Sequence, residues 1–240
     1  MKILNKLLGK FAFVPRNRSA RAEGVEYYAS SPSGTKNAGF QKYYEENRRE
    51  IVLGEVPVRY EEIARMTPGE HVMELGSADG TQCLVLAKRK ARVVGVELMQ
   101  MQYEEAENLK AAWAARGERT ENCVYLNADI SSVEDMFDGF DTILMSRVLY
   151  HLRGKADPLV KRISSSKVRY LVLVGCPERT RRWRSSGETG DAMGKYAYLA
   201  TKEGMEEILT KNGFSIVNSE WSDENKDPVV VGEKKINDSF

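Results

Sequence analysis

The chain has 240 residues, 42% of them hydrophobic and 30% charged, with a net charge of +1. That length supports one large domain with its own core, or a domain and an appendage, and the near-neutral balance gives no bulk field that would favour nucleic acid or membrane. The cysteines Cys83, Cys123 and Cys176 are scattered without a CxxC pair and read as reduced thiols of a cytoplasmic protein. No run reaches the ~18 apolar residues of a membrane span, and the N-terminus lacks the apolar core and small-residue cleavage site of a signal peptide.

At the N-terminus, Ile3, Leu4, Leu7, Leu8 and Phe11 fall on one helical side and Lys2, Lys6 and Lys10 on another. Residues 1–11 therefore suit either a peripheral contact with a membrane surface or packing on the domain or a second subunit; packing or partner contact is the favoured reading. Residues 38–66 read as largely helical and charged, up to the turn chemistry of "TPGE" at 67–70. A strand is predicted at 71–75, a helix from about Thr81 to Lys90, and a second strand ending at Glu97. Tyr103, Ala106, Leu109 and Trp113 then recur at threes and fours, an amphipathic helix that stops at Gly117. "CVYLNAD" and "FDTILMS" are the third and fourth strands, with a helical reading from Arg147. "VRYLVLVG" is the fifth, apolar throughout as a strand covered on both faces should be. A helix over 201–212 has Thr201 as N-cap, Met205, Ile208 and Leu209 inward, and Gly213 after its end. "FSIVNSEW" and "PVVVGEK" close the chain as two strands. This alternation predicts an α/β, Rossmann-like, doubly wound, seven-stranded and mainly parallel sheet with an antiparallel C-terminal edge, plus an N-terminal helical cap. The expected division is 1–69 as a basic, helical segment and cap, and 70–240 as the main domain.

In such a sheet, ligands bind beyond the carboxyl ends of the strands, where strand order reverses. "ELGSADG" lies there: Gly76 and Gly80 let backbone approach a ligand, and the following helix offers free N–H groups. Three acids fall at successive strand ends: Glu74, Glu97 and Asp129. Glu97 sits about 20 residues after the turn, where it suits both hydroxyls of a ribose. Asp129 either accepts from an exocyclic amine or caps the next short helix, and Glu74 is either a ligand contact or a strand-end carboxylate satisfied by backbone. Neither the G-x-G-x-x-G fingerprint nor a Walker loop is present.

"VMELGSADG", "GVELM" and "NADIS" resemble the class I S-adenosylmethionine (SAM)-dependent methyltransferases, with Glu74, Gly76, Ala78 and Gly80 on the family's first motif and alanine in place of its middle glycine. The resemblance, over about residues 70–235, implies SAM as cofactor. Its methionine end would lie on Gly76, Ser77, Ala78 and Gly80, its ribose on Glu97 with Leu98, its adenine on Asp129 and Ile130, with Glu74 and Ser146 lining the site. No metal is implied. Position 145–148 reads Met-Ser-Arg-Val rather than the Asn/Asp-Pro-Pro-aromatic box of nucleobase methylation, which argues against DNA. His151, in "SRVLYHL", lies where the family's acceptor site lies and suits a general base; a locally packed histidine is the competing reading. Tyr150 is a further acceptor contact or core. His71, at the far end of the first strand, reads as structural.

Between the fifth strand and the helix at 201 lies an insertion at about 176–200 with Arg179, Arg181, Arg182, Trp183 and Arg184, and with Gly187, Gly190 and Gly194 as hinges. It reads as a lid whose arginine forks suit an anionic acceptor, or as a solvated loop. Arg16, Arg18 and Arg21 form a second group, and Tyr43 and Tyr44 are candidates to cover the cofactor. The layout is similar to bacterial methyltransferases acting on sugars of surface polysaccharides. The expected function is therefore O-methylation of a sugar or other anionic small-molecule or glycan acceptor. Protein or RNA methylation, and a non-catalytic cofactor- or partner-binding protein, are the alternatives.

Overall fold

The structure is a computed structural model that describes residues 51–52, 55–176, 196–222 and 227–234. All of them fall in the second of two compact units, Tyr43–Phe240. The lid arginines, residues 1–11, Arg16, Arg18, Arg21, Tyr43 and Tyr44 lie outside the described residues.

The elements are α1 (Val58–Met66), β1 (His71–Leu75), α2 (Thr81–Ala87), β2 (Arg92–Glu97), α3 (Gln100–Ala115), β3 (Cys123–Asn127), β4 (Thr142–Ser146), α4 (Ala156–Ser164), β5 (Tyr170–Val174), α5 (Lys202–Lys211), β6 (Phe214–Trp221) and β7 (Pro228–Lys234). Short 3-10 turns connect several of them. The strands form one seven-stranded sheet in the order β3-β2-β1-β4-β5-β7-β6. β1 to β5 are parallel, β7 runs antiparallel between β5 and β6, and a bulge at Ile216/Asn218 interrupts the last pairing. Strand order reverses between β1 and β4, so the switch point lies at the ends of those two strands.

Alternation along the strands divides the core in two. Met73, Leu75, Val94, Val96, Ile143 and Met145 pack under α4 and α5. Val72, Val93, Leu144, Val172 and Val229 pack under α1, α2 and α3. With both faces covered, the central strands carry near-continuous apolar sequence. At burial of about 25 cal/mol per Å², these two layers dominate the stability of the sheet.

Three predicted boundaries move. The segment predicted as one helix over 38–66 is interrupted: 51–52 are helical, residues 55–57 are not, and Pro57 opens α1. Proline forces the preceding residue out of the helical region. α2 ends at Ala87, three residues early. The helix predicted from Arg147 begins at Ala156: Arg147 has φ 58, and two 3-10 turns, Leu149–His151 and Arg153–Lys155, occupy the interval. Thr201 caps α5 as expected, accepting from the Gly204 N–H at 3.0 Å.

Candidate active site

β1 ends in a turn that only small residues can form. Gly76 and Gly80 have φ of 77 and 76, and Ala78 between them has φ 47. These are left-handed dihedrals that side chains disfavour. A Cβ on Gly76 would overlap Val148, and one on Gly80 would overlap the Tyr125 ring. The glycines thus let the turn pack down onto the segment after β4 and onto β3. The N–H groups of Gly76 and Ser77 both reach the Val96 carbonyl, at 2.8 and 3.0 Å, and the Tyr125 hydroxyl donates to the Gly80 carbonyl at 2.8 Å.

Glu97 locks this turn to β2. Its Oε2 accepts from the Ala78 N–H at 3.0 Å and its Oε1 from the Met99 N–H at 2.8 Å. Burial pushes its carboxyl up, opposed by those N–H groups. Each carboxylate oxygen keeps acceptor capacity beyond the one bond it makes. Leu98 follows, its carbonyl held with that of Glu97 by the Asn127 side chain. Asp129 lies beyond β3 rather than in it, as the N-cap of the Ile130–Ser132 turn, its Oδ1 taking the Ser131 N–H at 2.8 Å and hydroxyl at 2.6 Å. The helix N-terminus after Gly80 is partly satisfied from within, since Asp79 accepts from the Thr81 N–H and hydroxyl.

Glu74 sits beneath the turn. It is 2% exposed, and the Cys83 thiol donates to its Oε2 at 3.0 Å. Burial pushes its carboxyl up to about 8, with Asp79 and Glu97 adding to the rise and the thiol opposing it. Glu74 is therefore a protonated acid at neutral pH.

The end of β4 supplies the other wall. Ser146, half-buried, pairs with Val174. The Arg147 N–H reaches the Val174 carbonyl at 2.9 Å, and its guanidinium donates to Asp227 Oδ2 at 2.7 Å. The Asp227 side chain is 1% exposed and that of Arg147 32%. Asp227 Oδ1 is buried with no hydrogen-bond partner. Tyr150 is buried and its ring lies 4.4 Å from that of half-buried His151, whose N–H is held by the Val148 carbonyl at 2.8 Å. Because Val148 touches Gly76, the His151 turn and the glycine turn are neighbours. His71 lies at the opposite end of β1, exposed, 3.5 Å from Asp141.

Arg147 and Asp227 escaped the sequence reading. They are 80 residues apart, and the only local sign was the proline after Asp227, which marks a turn and not a partner. The donor set fits an adenosyl cofactor: a carboxylate braced at the end of β2, a turn with no side chain above it at two positions, and a buried Ser77 Oγ beside it without a partner. Among the described residues no group of His, Cys, Asp and Glu could hold a metal ion, and no helix is long and apolar enough to cross a membrane.

No family model and no curated protein matches the chain. Solved structures do. The magnesium protoporphyrin IX methyltransferase ChlM of Synechocystis PCC 6803 with bound SAM is similar at a TM-score of 0.55 and 18% identity, over 93% of this chain and 99% of that one. The methyltransferase domain of bacterial CtHen1-C is similar at 0.57 and 12%, over 75% and 100%. A TehB-like SAM-dependent methyltransferase from Corynebacterium glutamicum ATCC 13032 is similar at 0.52 and 15%, over 83% and 100%. With its strand order, its glycine turn and these likenesses together, the chain has the fold of the class I SAM-dependent methyltransferases.

Proposed function

We propose that the protein is a SAM-dependent methyltransferase, and that its acceptor is a hydroxyl of a sugar or other anionic small molecule or glycan. The observation that carries the cofactor reading is Glu97, held by the Ala78 and Met99 N–H groups at the lip of a turn built from Gly76 and Gly80. ChlM, solved with SAM and with SAH, supports the same reading.

In this reading the Gly76–Gly80 turn, with Ser77 and Ala78, receives the methionyl end, Glu97 and Leu98 the ribose, and Asp129 and Ile130 the adenine. Glu74 and Ser146 line the floor and the far wall. The bound cofactor supplies a methyl group already activated by its sulfonium. The protein then has to align the acceptor, exclude water and dispose of one proton. His151 is the group proposed to take that proton from the acceptor hydroxyl, with Tyr150 beside it as an acceptor contact. Arg179, Arg181, Arg182 and Arg184 are proposed to grip the acceptor's negative charge as forked donors.

Calorimetry with SAH tests the cofactor assignment. Wild type should bind it stoichiometrically and not bind NAD. Glu97→Ala should weaken binding by about 1.5–3 kcal/mol, the range for hydrogen bonds to a charged group. Equal affinities for the two proteins would remove Glu97 from the site.

A further inference from the structure

If the crevice holds a sulfonium cofactor, Glu74 has a task beyond filling space. β1 alternates so that Met73 and Leu75 enter the layer under α4 and α5, while Val72 and Glu74 enter the layer under α2 and α3. Glu74 is thus a carboxyl group set in a layer of aliphatic side chains, thiols and a phenol. A glutamine would fill the same space and keep a hydrogen bond. An acid adds one property, a charge that can be switched on.

The groups facing it come from every neighbouring element. α2 presents the Cys83 thiol at 3.0 Å. β3 presents Cys123 and Tyr125, both buried. Glu74 stands opposite Gly95 in β2 and Leu144 in β4, which bring no charge. The charged groups acting on it are Asp79 in the turn and Glu97 at the end of β2, both acids. Burial and these acids keep the carboxyl protonated. A cation in the crevice would act with the opposite sign, and a neutral ligand of the same shape would not act at all.

We propose that Glu74 is the residue by which the crevice separates the cationic methyl donor from its neutral thioether product. Glu74 releases its proton to solvent when SAM binds and leaves a carboxylate under the sulfonium. After the methyl group has gone to the acceptor and the sulfur is neutral, the carboxylate recovers a proton from solvent. Over one turnover Glu74 returns to its starting state, so the net proton released is the acceptor's own. The donor is favoured while it carries charge, and the product loses that attraction when the charge is lost.

The test is calorimetry of SAM and of SAH between pH 6 and 9, in two buffers of different ionisation heat, on wild type and Glu74→Gln. SAM binding to wild type should release close to one proton in the window below pH 8, and SAH binding fewer. The preference for SAM over SAH should climb toward about pH 8, where the empty-site carboxyl titrates, and level off above it. One linked proton gives about tenfold per pH unit. In Glu74→Gln only the slope from the ligands' own amino groups should remain. A wild-type preference whose pH slope matches that of Glu74→Gln, or SAM and SAH releasing equal protons, would overturn the inference while leaving the cofactor reading intact. The wild-type proton count decides the matter even if the variant fails to fold. Failure of wild type to bind either ligand would overturn the proposed function, and this inference with it.

Discussion

The carboxyl edge of the sheet has two halves built on different principles. At the ends of β1 and β2 the wall is main chain. Gly76, Ala78 and Gly80 take left-handed dihedrals, their N–H groups are held by Val96 and Glu97, and the one titratable group beneath them, Glu74, is buried and neutral. At the end of β4 the wall is side chain. Arg147 takes a left-handed dihedral without being glycine, reaches across to Asp227 on the far side of β5, and is followed by Tyr150 and His151. Strain in a bulky residue at such a place marks where function outweighs comfort. The first half suits a ligand that never changes, and the second a ligand that differs from one enzyme to the next.

The largest effect expected from the first half is a dependence of stability on pH. The Glu74 carboxyl is raised from 4.5 to about 8 in the folded protein, so the folded state binds its proton more tightly. That contribution is fully present below about pH 4.5 and lost as pH rises to about 8; it is on the order of 5 kcal/mol over that window. Urea denaturation from pH 5 to 9 should show wild type losing stability with rising pH and Glu74→Gln losing much less. Parallel curves would mean that Glu74 is ionised and the first half is charged after all.

In the second half the largest effect is on rate. His151→Ala should lower kcat by about 10²–10⁴ at saturating acceptor with SAH affinity unchanged. A rate within threefold of wild type would leave alignment alone as the source of catalysis there. Next comes Gly80→Ala. The methyl group would meet the Tyr125 ring and adopt a disfavoured φ of 76, for a combined loss of about 3 kcal/mol in chemical denaturation. If the loss is under 1 kcal/mol, the turn is looser than a main-chain wall requires.

The smallest is Asp227→Asn. Burial already pushes the Asp227 carboxyl up against the pull of Arg147, and the arginine is a third exposed. Removing the charge should therefore cost only about 1–2 kcal/mol, less than the usual penalty for breaking a buried pair. A double-mutant cycle with Arg147→Gln measures the coupling. Coupling near zero would mean that the two halves differ less than the geometry implies.

The same contrast explains what could be read in the sequence. The glycine turn was legible because left-handed dihedrals at 76 and 80 demand a residue type that the sequence displays, and Glu97 because parallel strands place its position at a nearly fixed spacing from the turn. The segment after β4 was read as a continuous helix because "RVLYHL" has helical periodicity, and nothing in an arginine announces φ 58. Asp129 was read as a strand end because composition does not separate the last strand residue from the cap that follows it. The Arg147–Asp227 pair joins positions that only the insertion of β7 beside β5 brings together.

The bulge in β6 has a bearing on how the protein behaves at high concentration. β6 is an outer strand of the sheet, and at Ile216/Asn218 its pairing with β7 slips by one residue, leaving Val217 52% exposed. An even outer strand is a template on which a second molecule can extend the ladder, and a kink spoils that template. Deleting Val217 would straighten the strand, and the residues on one side of it would exchange faces because side chains alternate. The variant would thus gain a flat border and lose its inward pattern together, two changes that favour fibre-like association, and light scattering against concentration should rise for it well before it does for the natural chain.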